Sequence, residues 1–235
     1  MTSDYLARYY DDRTAKTPSD LLKQVGHTES GEPIAAYRFD RLVEDIATRL
    51  DLTPQDRLLD LCCGNGVFTA RLAPRVESVV GLDFSPGLID VARTHCDAPN
   101  AHFAVADVRR LPPLEPEGGG TFSKVLMYAA LQHFPKAFLG PLLDDILAMT
   151  TDDPVILIGF VPEQRRRFAF YDSWPRRLTY LSRKLVGKDV MGSWWSRADF
   201  ETACAARGLE CSFHPIAEGL KAHDYRFDAV IRNRG

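Results

Sequence analysis

The sequence lacks the features that mark membrane, secreted and metal-binding proteins. No run among its 235 residues approaches the roughly 18 apolar residues of a membrane span, and the polar, acidic stretch from Met1 to Asp12 is unlike a targeting segment. The five cysteines form no Cys-x-x-Cys pair and stand near no histidine-rich segment, which predicts reduced thiols. We therefore expect a cytoplasmic protein that makes no membrane contact.

An excess of positive charge is also missing. The 29 lysine and arginine residues are outnumbered by 32 aspartate and glutamate residues, giving a formal net charge of −3. This balance excludes a global basic surface for nucleic acid or anionic membranes, although it allows a local basic patch. With 45% hydrophobic residues the chain can bury one sizeable core, so we predict a single domain spanning 1–235.

The central feature that is present is a strand, a glycine turn and the start of a helix at residues 58–69, L-L-D-L-C-C-G-N-G-V-F-T. Gly64 and Gly66 let a parallel strand turn sharply into a helix and let the backbone approach a ligand. Asp60 lies at the end of the strand, where its carboxylate can accept hydrogen bonds from loop N–H groups or from a cationic amine. The combination predicts a nucleoside-binding site.

Two later strands also end in an acid. Asp83 follows S-V-V-G-L about 20 residues after the turn, where its carboxylate could accept from two ribose hydroxyls, and Asp107 follows F-A-V-A, where it could accept from an adenine amine. Taken singly, each acid is better explained as a helix N-cap or a loop carboxylate. Taken together, beside a Gly-x-Gly turn, the three acids indicate one shared ligand. A nicotinamide enzyme would prefer a third glycine at Thr69 and a strand that does not end in Asp60.

Strand and helix patterns alternate along most of the chain, which predicts a doubly wound, mostly parallel α/β sheet. The predicted strands cover 57–61, 78–83, 102–106, 121–128 and 154–160, and the predicted helices cover 35–50, 67–72, 86–95 and 136–149. Pro112 to Gly120 is predicted to be a surface loop. After a helix at 197–207, strands at 209–216 and 225–232 are predicted to form an antiparallel edge hairpin, so that the sheet has seven strands.

The motifs D-L-C-C-G-N-G, G-L-D-F-S and A-D-V resemble those of class I S-adenosylmethionine-dependent methyltransferases over residues 40 to 160. The resemblance implies S-adenosylmethionine as cofactor and S-adenosylhomocysteine as product. Cys62 departs from the family, which has a glycine there. The cofactor-binding residues that the resemblance implies are Gln24, Asp60, Cys62, Gly64, Asn65, Gly66, Asp83, Phe84, Asp107, Val108 and Tyr128.

Later segments narrow the resemblance. L-L-K-Q-V-G, G-S-W-W and H-D-Y-R-F-D-A-V-I are similar to segments of bacterial small-molecule methyltransferases from polysaccharide or secondary-metabolite pathways. This implies methyl transfer to an oxygen or nitrogen of a sugar, a sugar nucleotide or a secondary metabolite by in-line displacement. A nucleic-acid methyltransferase or binding module, and a non-methylating protein on the same fold, are the alternatives. The sequence allows a monomer or a homodimer.

Two segments are predicted to surround the cofactor-binding core of residues 35–160. Residues 1–34, with tyrosines and a break at Pro18, are interpreted as a helical lid, or alternatively as a loosely docked arm. Residues 161–192 interleave arginines with aromatic residues and are interpreted as a packed helical cap. Binding of a small anionic substrate or of nucleic acid are the other interpretations of this segment. Residues 193–235 supply the final helix and the edge hairpin.

His133 is the candidate catalytic base because it follows the strand at 121–128 and a histidine titrates near neutral pH. It could equally cap the next helix or only shape the pocket. The predicted substrate-binding residues are Tyr9, Gln132, Tyr171, Trp195, His223, Tyr225 and Arg226. No metal is predicted, since Met127 and Tyr128 stand where a metal-dependent methyltransferase would need acids. No Gly-x-Ser-x-Gly elbow supports a hydrolase.

Overall fold

The computed structural model describes residues 3–111, 114, 120–185 and 191–235, with the backbone alone for 3–9 and 184–185. The α-helices among them are α1 (Ser3–Lys16), α2 (Leu21–Gln24), α3 (Ala36–Leu50), α4 (Thr69–Leu72), α5 (Pro86–His95), α6 (Leu139–Leu147), α7 (Arg167–Phe170), α8 (Trp174–Leu185) and α9 (Arg197–Ala205). The strands are β1 (Thr28–Glu29), β2 (Glu32–Pro33), β3 (Arg57–Leu61), β4 (Ser78–Asp83), β5 (Ala101–Val105), β6 (Phe122–Tyr128), β7 (Thr150–Pro162), β8 (Leu209–Pro215) and β9 (Arg226–Asn233). Most of the loop predicted at 112–120 lies outside the described residues.

Seven strands form one sheet in the order β5-β4-β3-β6-β7-β9-β8, and β1 pairs with β2 in a separate small hairpin. The strands from β3 to β7 run parallel, whereas β9 is antiparallel to both β7 and β8. This confirms the predicted doubly wound, seven-stranded sheet with an antiparallel edge pair. The strand order reverses between β3 and β6, so a crevice opens there at the carboxyl ends of the strands.

The central strands are buried on both faces because successive side chains point to opposite sides of the sheet. Leu58, Leu126 and Leu157 belong to the core cluster on the side of α3 and α4. Their neighbours Leu59 and Ile156 belong to the cluster on the side of α6 and α9. Each continuous apolar run in the sequence therefore supplies side chains to two core clusters, one on each face of the sheet.

Local sequence explains where the flanking helices lie. In α3, the predicted stripe of apolar residues at helical spacing is buried against the sheet; its members are Phe39, Leu42, Val43, Ile46 and Leu50. Helix α5 begins after Ser85, whose hydroxyl accepts from the Leu88 N–H, with Pro86 at its first position. Ser196 and Asp199 form a capping box at the start of α9.

The structure changes three predicted boundaries. Helix α4 begins at Thr69 instead of Val67, because the backbone is still in the glycine turn at Gly66. The helix predicted at 136–149 begins with a 3₁₀ turn, Lys136–Phe138, and only then becomes α6. Strand β7 starts four residues earlier than predicted, since Thr150 pairs with Phe122 of β6.

The segment after β7 is helical, as predicted for the cap, but it does not bury all of its apolar residues. Tyr171 and Tyr180 pack together in a small aromatic cluster with their ring centroids 4.6 Å apart. On α8, Trp174, Leu178 and Leu181 are exposed. All five cysteines are free thiols, in line with the prediction. In the part of the chain that the structure describes, no helix is long and apolar enough to span a bilayer.

Candidate functional site

A cavity opens at the carboxyl ends of β3, β4 and β6, where the strand order reverses. It brings together nine of the residues predicted from the sequence: Asp60, Cys62, Gly64, Asp83, Phe84, Asp107, Val108, Tyr128 and His133. The N-terminal segment before α3 adds Tyr10, Val25 and His27 to the wall. Strand ends that are far apart in sequence therefore meet around one concave space, which is the usual ligand position in this type of sheet.

The glycine turn has the backbone that its sequence predicts. Gly64 and Gly66 have φ of +59° and +72°. A Cβ on Gly64 would lie 2.9 Å from Cγ1 of Val25, and one on Gly66 would lie 3.0 Å from the Phe103 ring. Gly64 thus lets the N-terminal segment approach the cavity, whereas Gly66 permits helix α5 and strand β5 to pack closely and does not line the cavity.

Cys62 also has a left-handed backbone, with φ of +57°. Only glycine adopts this conformation without steric cost, which accounts for the glycine that the methyltransferase motif has at this position. The Cys62 side chain lines the cavity. Its burial, together with the charge of Asp83, raises the pKa of its thiol well above the usual value, so the thiol is protonated and unreactive at neutral pH.

Asp83 holds the glycine turn in place while it faces the cavity. Its carboxylate accepts from the N–H of Gly64 and from the N–H of Ser85, each at 3.0 Å. Burial raises the pKa of Asp83 to about 6, although these backbone hydrogen bonds oppose the rise. Each carboxylate oxygen can accept more than one hydrogen bond, so both retain capacity toward a ligand.

Asp60 is nearly fully buried behind the turn. The Thr69 hydroxyl at the start of α4 donates to it at 2.5 Å. Burial is the main cause that raises the pKa of Asp60 to about 7, and the nearby negative charge of Asp83 adds to the rise. Two carboxylates in one buried wall create a site that a positively charged ligand would stabilise.

Asp107 is partly exposed and combines two roles that the sequence left open. It caps the 3₁₀ turn after β5, accepting from the Arg109 N–H at 3.0 Å, and it forms an ion pair with the Arg109 side chain. The hydrogen bonds from Arg109 hold the pKa of Asp107 below its usual value. It therefore faces the cavity as an anion.

Gln24 and Asn65, which the resemblance implied as cofactor-binding residues, do not line the cavity. The Asn65 amide donates to the Gln24 side-chain oxygen and to the Leu21 carbonyl, both at 2.9 Å. Gln24 in turn donates to the Thr17 carbonyl at 3.0 Å. These side chains fasten α2 to the glycine turn, so they act on the cavity only through the position of that turn.

His133 lies in the cavity wall beside the N-terminal segment. Its Nε2 is 3.4 Å from the Tyr10 hydroxyl and 3.5 Å from the Gln132 amide nitrogen. Burial, followed by the positive charge of Arg226, lowers the pKa of His133 to about 4. The imidazole is therefore neutral at physiological pH and able to accept a proton.

Tyr128 ends β6, and its ring is packed against Gly159 of β7. A Cβ on Gly159 would lie 2.3 Å from Cδ2 of that ring. The Tyr128 hydroxyl is buried and has no hydrogen-bond partner among the described residues. Burial raises the pKa of Tyr128 well above its usual value, so the phenol is protonated.

The predicted substrate-binding residues after β7 do not line this cavity. Trp195 is fully buried and packs against Phe200 in the main core. The hydrophobic core, rather than a pocket, thus surrounds it, and its assignment as a substrate contact does not fit the structure. His223 is bonded through Nδ1 to the Ile216 carbonyl at 2.6 Å. The Tyr9 side chain lies outside the described atoms.

Tyr171, Tyr225, Gln132 and Arg226 belong to a second group next to the cavity. Tyr225 packs on Phe170 of the aromatic cluster with ring centroids 5.1 Å apart. Arg226 is buried beneath it and lies 3.4 Å from the Gln132 side-chain oxygen. This group is contiguous with His133 through Gln132 but does not line the cavity itself.

Sequence reasoning missed several residues of the cavity wall. His27 is buried, its ring makes an edge contact with Phe68 at 5.0 Å, and burial lowers its pKa to about 4. No spacing in the sequence marks His27, because it follows α2 in an irregular stretch. Tyr10 lies beside the predicted Tyr9, so the tyrosine-rich stretch indicated the region but not the residue. In the described residues no group of acids, cysteines or histidines is arranged to hold a metal.

A family model described as a methyltransferase domain matches residues 58–153, from the first strand of the sheet into β7. An uncharacterized methyltransferase of Schizosaccharomyces pombe is 47% identical over 53 residues, which are 23% of this chain and 20% of that protein. A 23S rRNA (uracil(1939)-C(5))-methyltransferase of Klebsiella pneumoniae is 52% identical over 44 residues, 19% of this chain and 10% of that protein. The chain therefore spans a fifth or less of the length of these relatives.

Solved structures share the whole fold at low identity. A structure described as a DhpI-SAM-HEP complex superposes with a TM-score of 0.68 at 17% identity, covering 99% of this chain and all of that one. A magnesium protoporphyrin IX methyltransferase from Synechocystis PCC 6803 with bound SAH superposes with a TM-score of 0.66 at 16% identity and the same coverage. The cap and the edge hairpin, which lie beyond the matched family region, thus belong to the same architecture.

Proposed function

We propose that the chain is a class I S-adenosylmethionine-dependent methyltransferase that transfers the methyl group of S-adenosylmethionine to an oxygen or nitrogen of a small-molecule acceptor. The match of residues 58–153 to a methyltransferase domain and the shared fold support this proposal. The observation that carries the proposal is the cavity itself. Its wall joins the glycine turn and the buried carboxylates of Asp60 and Asp83 to a neutral histidine, His133. The magnesium protoporphyrin methyltransferase on the same fold supports a small acceptor.

The residues of the wall fit the cofactor. Asp83 keeps acceptor capacity for ribose hydroxyls, the partly exposed Asp107 can accept from an amine, and the buried Asp60 favours a positively charged group nearby. When bound, S-adenosylmethionine supplies a methyl group that is already activated as part of a sulfonium. The protein then contributes chiefly position and orientation.

His133 is proposed to accept the proton that the acceptor hydroxyl or ammonium loses. Its low pKa keeps the imidazole unprotonated, and the Tyr10 hydroxyl and the Gln132 amide orient Nε2. With Nε2 as the acceptor nitrogen, Nδ1 carries the ring proton, and it is buried without a hydrogen-bond partner among the described residues.

Calorimetry with purified protein tests the cofactor. We expect S-adenosylmethionine and S-adenosylhomocysteine to bind with micromolar dissociation constants and NAD not to bind, since the wall offers Asp60 where a pyrophosphate would need backbone donors. Binding of NAD alone, or of none of the three, would refute the proposal.

A substitution tests the base. The variant His133→Ala should lower turnover by about 100-fold or more while the affinity for S-adenosylhomocysteine changes little, because general-base catalysis contributes on this scale. The matched control is His95→Ala, at the exposed end of α5. Because the pKa of His133 is about 4, the pH–rate profile of the free enzyme should show no histidine inflection near 6.5. Wild-type turnover in His133→Ala would leave the residue a structural role only.

Nucleic acid is the second candidate acceptor, because the rRNA methyltransferases are among the relatives. Two arginines of the cap are paired with acids, which reduces its free positive charge: Arg166 pairs with Glu163, and Arg176 pairs with Asp172. Fluorescence anisotropy with a labelled single-stranded RNA at low and physiological salt separates the two candidates. Tight, strongly salt-dependent binding would favour RNA.

A further inference from the structure

Arg226, at the start of β9, is a buried cation without an anionic partner. Its residue is only 8% exposed, and no carboxylate within the described parts of the chain pairs with it. A buried charge that lacks a counter-charge is costly, since its desolvation is not repaid by an ion pair. A protein that keeps such a group usually uses it for binding or catalysis.

The hydrogen-bonding groups of Arg226 are only partly satisfied. Its Nη1 donates to the Phe160 carbonyl and lies 3.4 Å from the Gln132 side-chain oxygen. Its Nη2 faces the sulfur of Met191 at 3.1 Å, a weak acceptor, and its Nε is buried with no partner. The Nε and Nη2 donors form the paired edge of a guanidinium, which binds two oxygens of one carboxylate or phosphoryl group.

A buried carboxylate stands two residues away and does not neutralise Arg226. Asp228 is fully buried, but it pairs with Arg49 of α3 and accepts from the Phe160 N–H. The two buried charged residues of β9 therefore differ: Asp228 is neutralised by Arg49, whereas Arg226 has no anionic partner among the described residues. The guanidinium of Arg226 faces Gln132 and Met191.

We propose that Arg226 binds an anionic group, a carboxylate or a phosphoryl group, on the methyl acceptor. This inference rests on the proposed methyl transfer. Gln132 links the two ends of the acceptor site, because its side-chain oxygen faces Arg226 and its amide nitrogen faces His133. An acceptor anchored by its anion at Arg226 would therefore extend toward the base.

The surroundings of Arg226 suit a small anion. The guanidinium carbon lies 4.5 Å from the centroid of the Phe160 ring and 5.5 Å from that of the Tyr225 ring. These apolar rings exclude water and strengthen the attraction between the cation and a bound anion. Burial is the main cause that lowers the pKa values of His27 and His133 in the cavity wall, and the positive charge of Arg226 adds to it, so the field of this cation reaches the cavity.

The experiment compares charged and neutral forms of the same small molecules. The panel contains short hydroxy and amino carboxylic acids, the corresponding phosphonic acids, and the amide or methyl ester of each. Binding is measured by titrating each compound into protein saturated with S-adenosylhomocysteine. Turnover is measured with S-adenosylmethionine. We expect binding and turnover only among anionic members. A preference for carboxylates or for phosphonates identifies which of the two anionic groups Arg226 binds.

Three variants connect the preference to Arg226. Arg226→Met should weaken binding of the selected anion by about tenfold or more, and Arg226→Lys should restore only part of it, because lysine keeps the charge but not the paired donors. Gln132→Glu should weaken it as well, by placing a carboxylate against the guanidinium. Arg232→Met, on the exposed part of the same strand, is the control. Thermal unfolding confirms that each variant is folded.

The outcomes separate this inference from the proposed function. Binding or turnover of neutral members as strong as that of the anions, no anion binding below about 10 mM, or unchanged binding in both Arg226→Met and Gln132→Glu would overturn the anion site. If S-adenosylhomocysteine itself does not bind, the proposed function fails, and titration of the same panel into the free protein still decides whether Arg226 binds anions.

Discussion

Asp60 illustrates a conflict between stability and ligand binding at a single residue. Its pKa is about 7 in the folded chain and near 4 when unfolded, so the folded chain binds an extra proton between these values. Stability contributed by this residue is therefore highest below pH 4, and it falls as pH rises toward 7. The ionised form, which a cationic ligand needs, is the form that destabilises the fold.

Asp60→Asn should consequently be more stable than the wild type at pH 8, by on the order of 2 kcal/mol, because asparagine retains an acceptor for Thr69 without charge. The difference should shrink at pH 5. Urea denaturation at the two pH values measures it, with calorimetry expected to show weaker S-adenosylmethionine binding. Equal free energies of unfolding for the two proteins at both pH values would mean that the ionised, buried Asp60 does not destabilise the fold.

Asp83→Asn should weaken S-adenosylhomocysteine binding by about 30-fold or more, because it removes the charge that accepts from ribose hydroxyls and from the Gly64 N–H. Asp90→Asn, on the exposed face of α5, is the control and should bind normally. Calorimetry provides both numbers. Normal affinity in Asp83→Asn would refute the ribose assignment.

At the scale of elements, the sequence predicts the residues whose positions follow from strand periodicity. Asp60 and Asp83 lie at the ends of apolar strands, and Asp107 follows another. Parallel strands bring their carboxyl ends to one edge of the sheet, so the meeting of these acids was predictable. His27 and Tyr10 were not, because their positions depend on how the N-terminal segment docks. That docking relies on contacts such as the hydrogen bond from Ser85 to Asp11, 74 residues apart, which no local pattern encodes.

The cap meets the loop after β6, which carries Gln132 and His133, at Gly192. This glycine has φ of +82°, and a Cβ there would lie 2.3 Å from the Gln132 carbonyl oxygen. Gly208 has φ of +69° but open space around it. An alanine at either position would strain the backbone. Only Gly192→Ala would also displace the loop that carries Gln132 and His133.

Gly192→Ala should therefore reduce turnover about tenfold or more, whereas Gly208→Ala should lose stability by about 1 kcal/mol with normal turnover. Steady-state kinetics and thermal unfolding of the two variants provide the comparison. Equal turnover in both would show that the cap does not position the loop.

At the scale of the whole molecule, the alternation of strands and helices was sufficient to predict the sheet, because right-handed crossovers leave few ways to arrange such a chain. The interactions that attach the antiparallel edge to the parallel core were not predictable. The main one joins Arg49 of α3 to the buried Asp228 of β9, residues 179 positions apart. Their side chains meet only after the sheet is complete.

Arg49→Met should destabilise the whole fold by about 3 kcal/mol or more, because it leaves Asp228 buried without a counter-charge. The loss should be smaller at pH 5 than at pH 8, since the pKa of Asp228 is about 6 and the protonated carboxyl needs no cation. Urea denaturation measures both values. Arg75→Met, which breaks an exposed pair with Glu44, is the control and should cost less than about 1 kcal/mol.

The N-terminal segment makes its contacts with residues far along the chain: Tyr10 lies 123 positions from His133, and Gln24 lies 41 from Asn65. Strands β3, β4 and β5, in contrast, pair in succession. Contacts with large sequence separation form late in folding, because closing long loops costs entropy before any contact is gained. The glycine turn and Asp83 should therefore be assembled before α1 and α2 dock, and until they dock the carboxylates of the cavity face solvent.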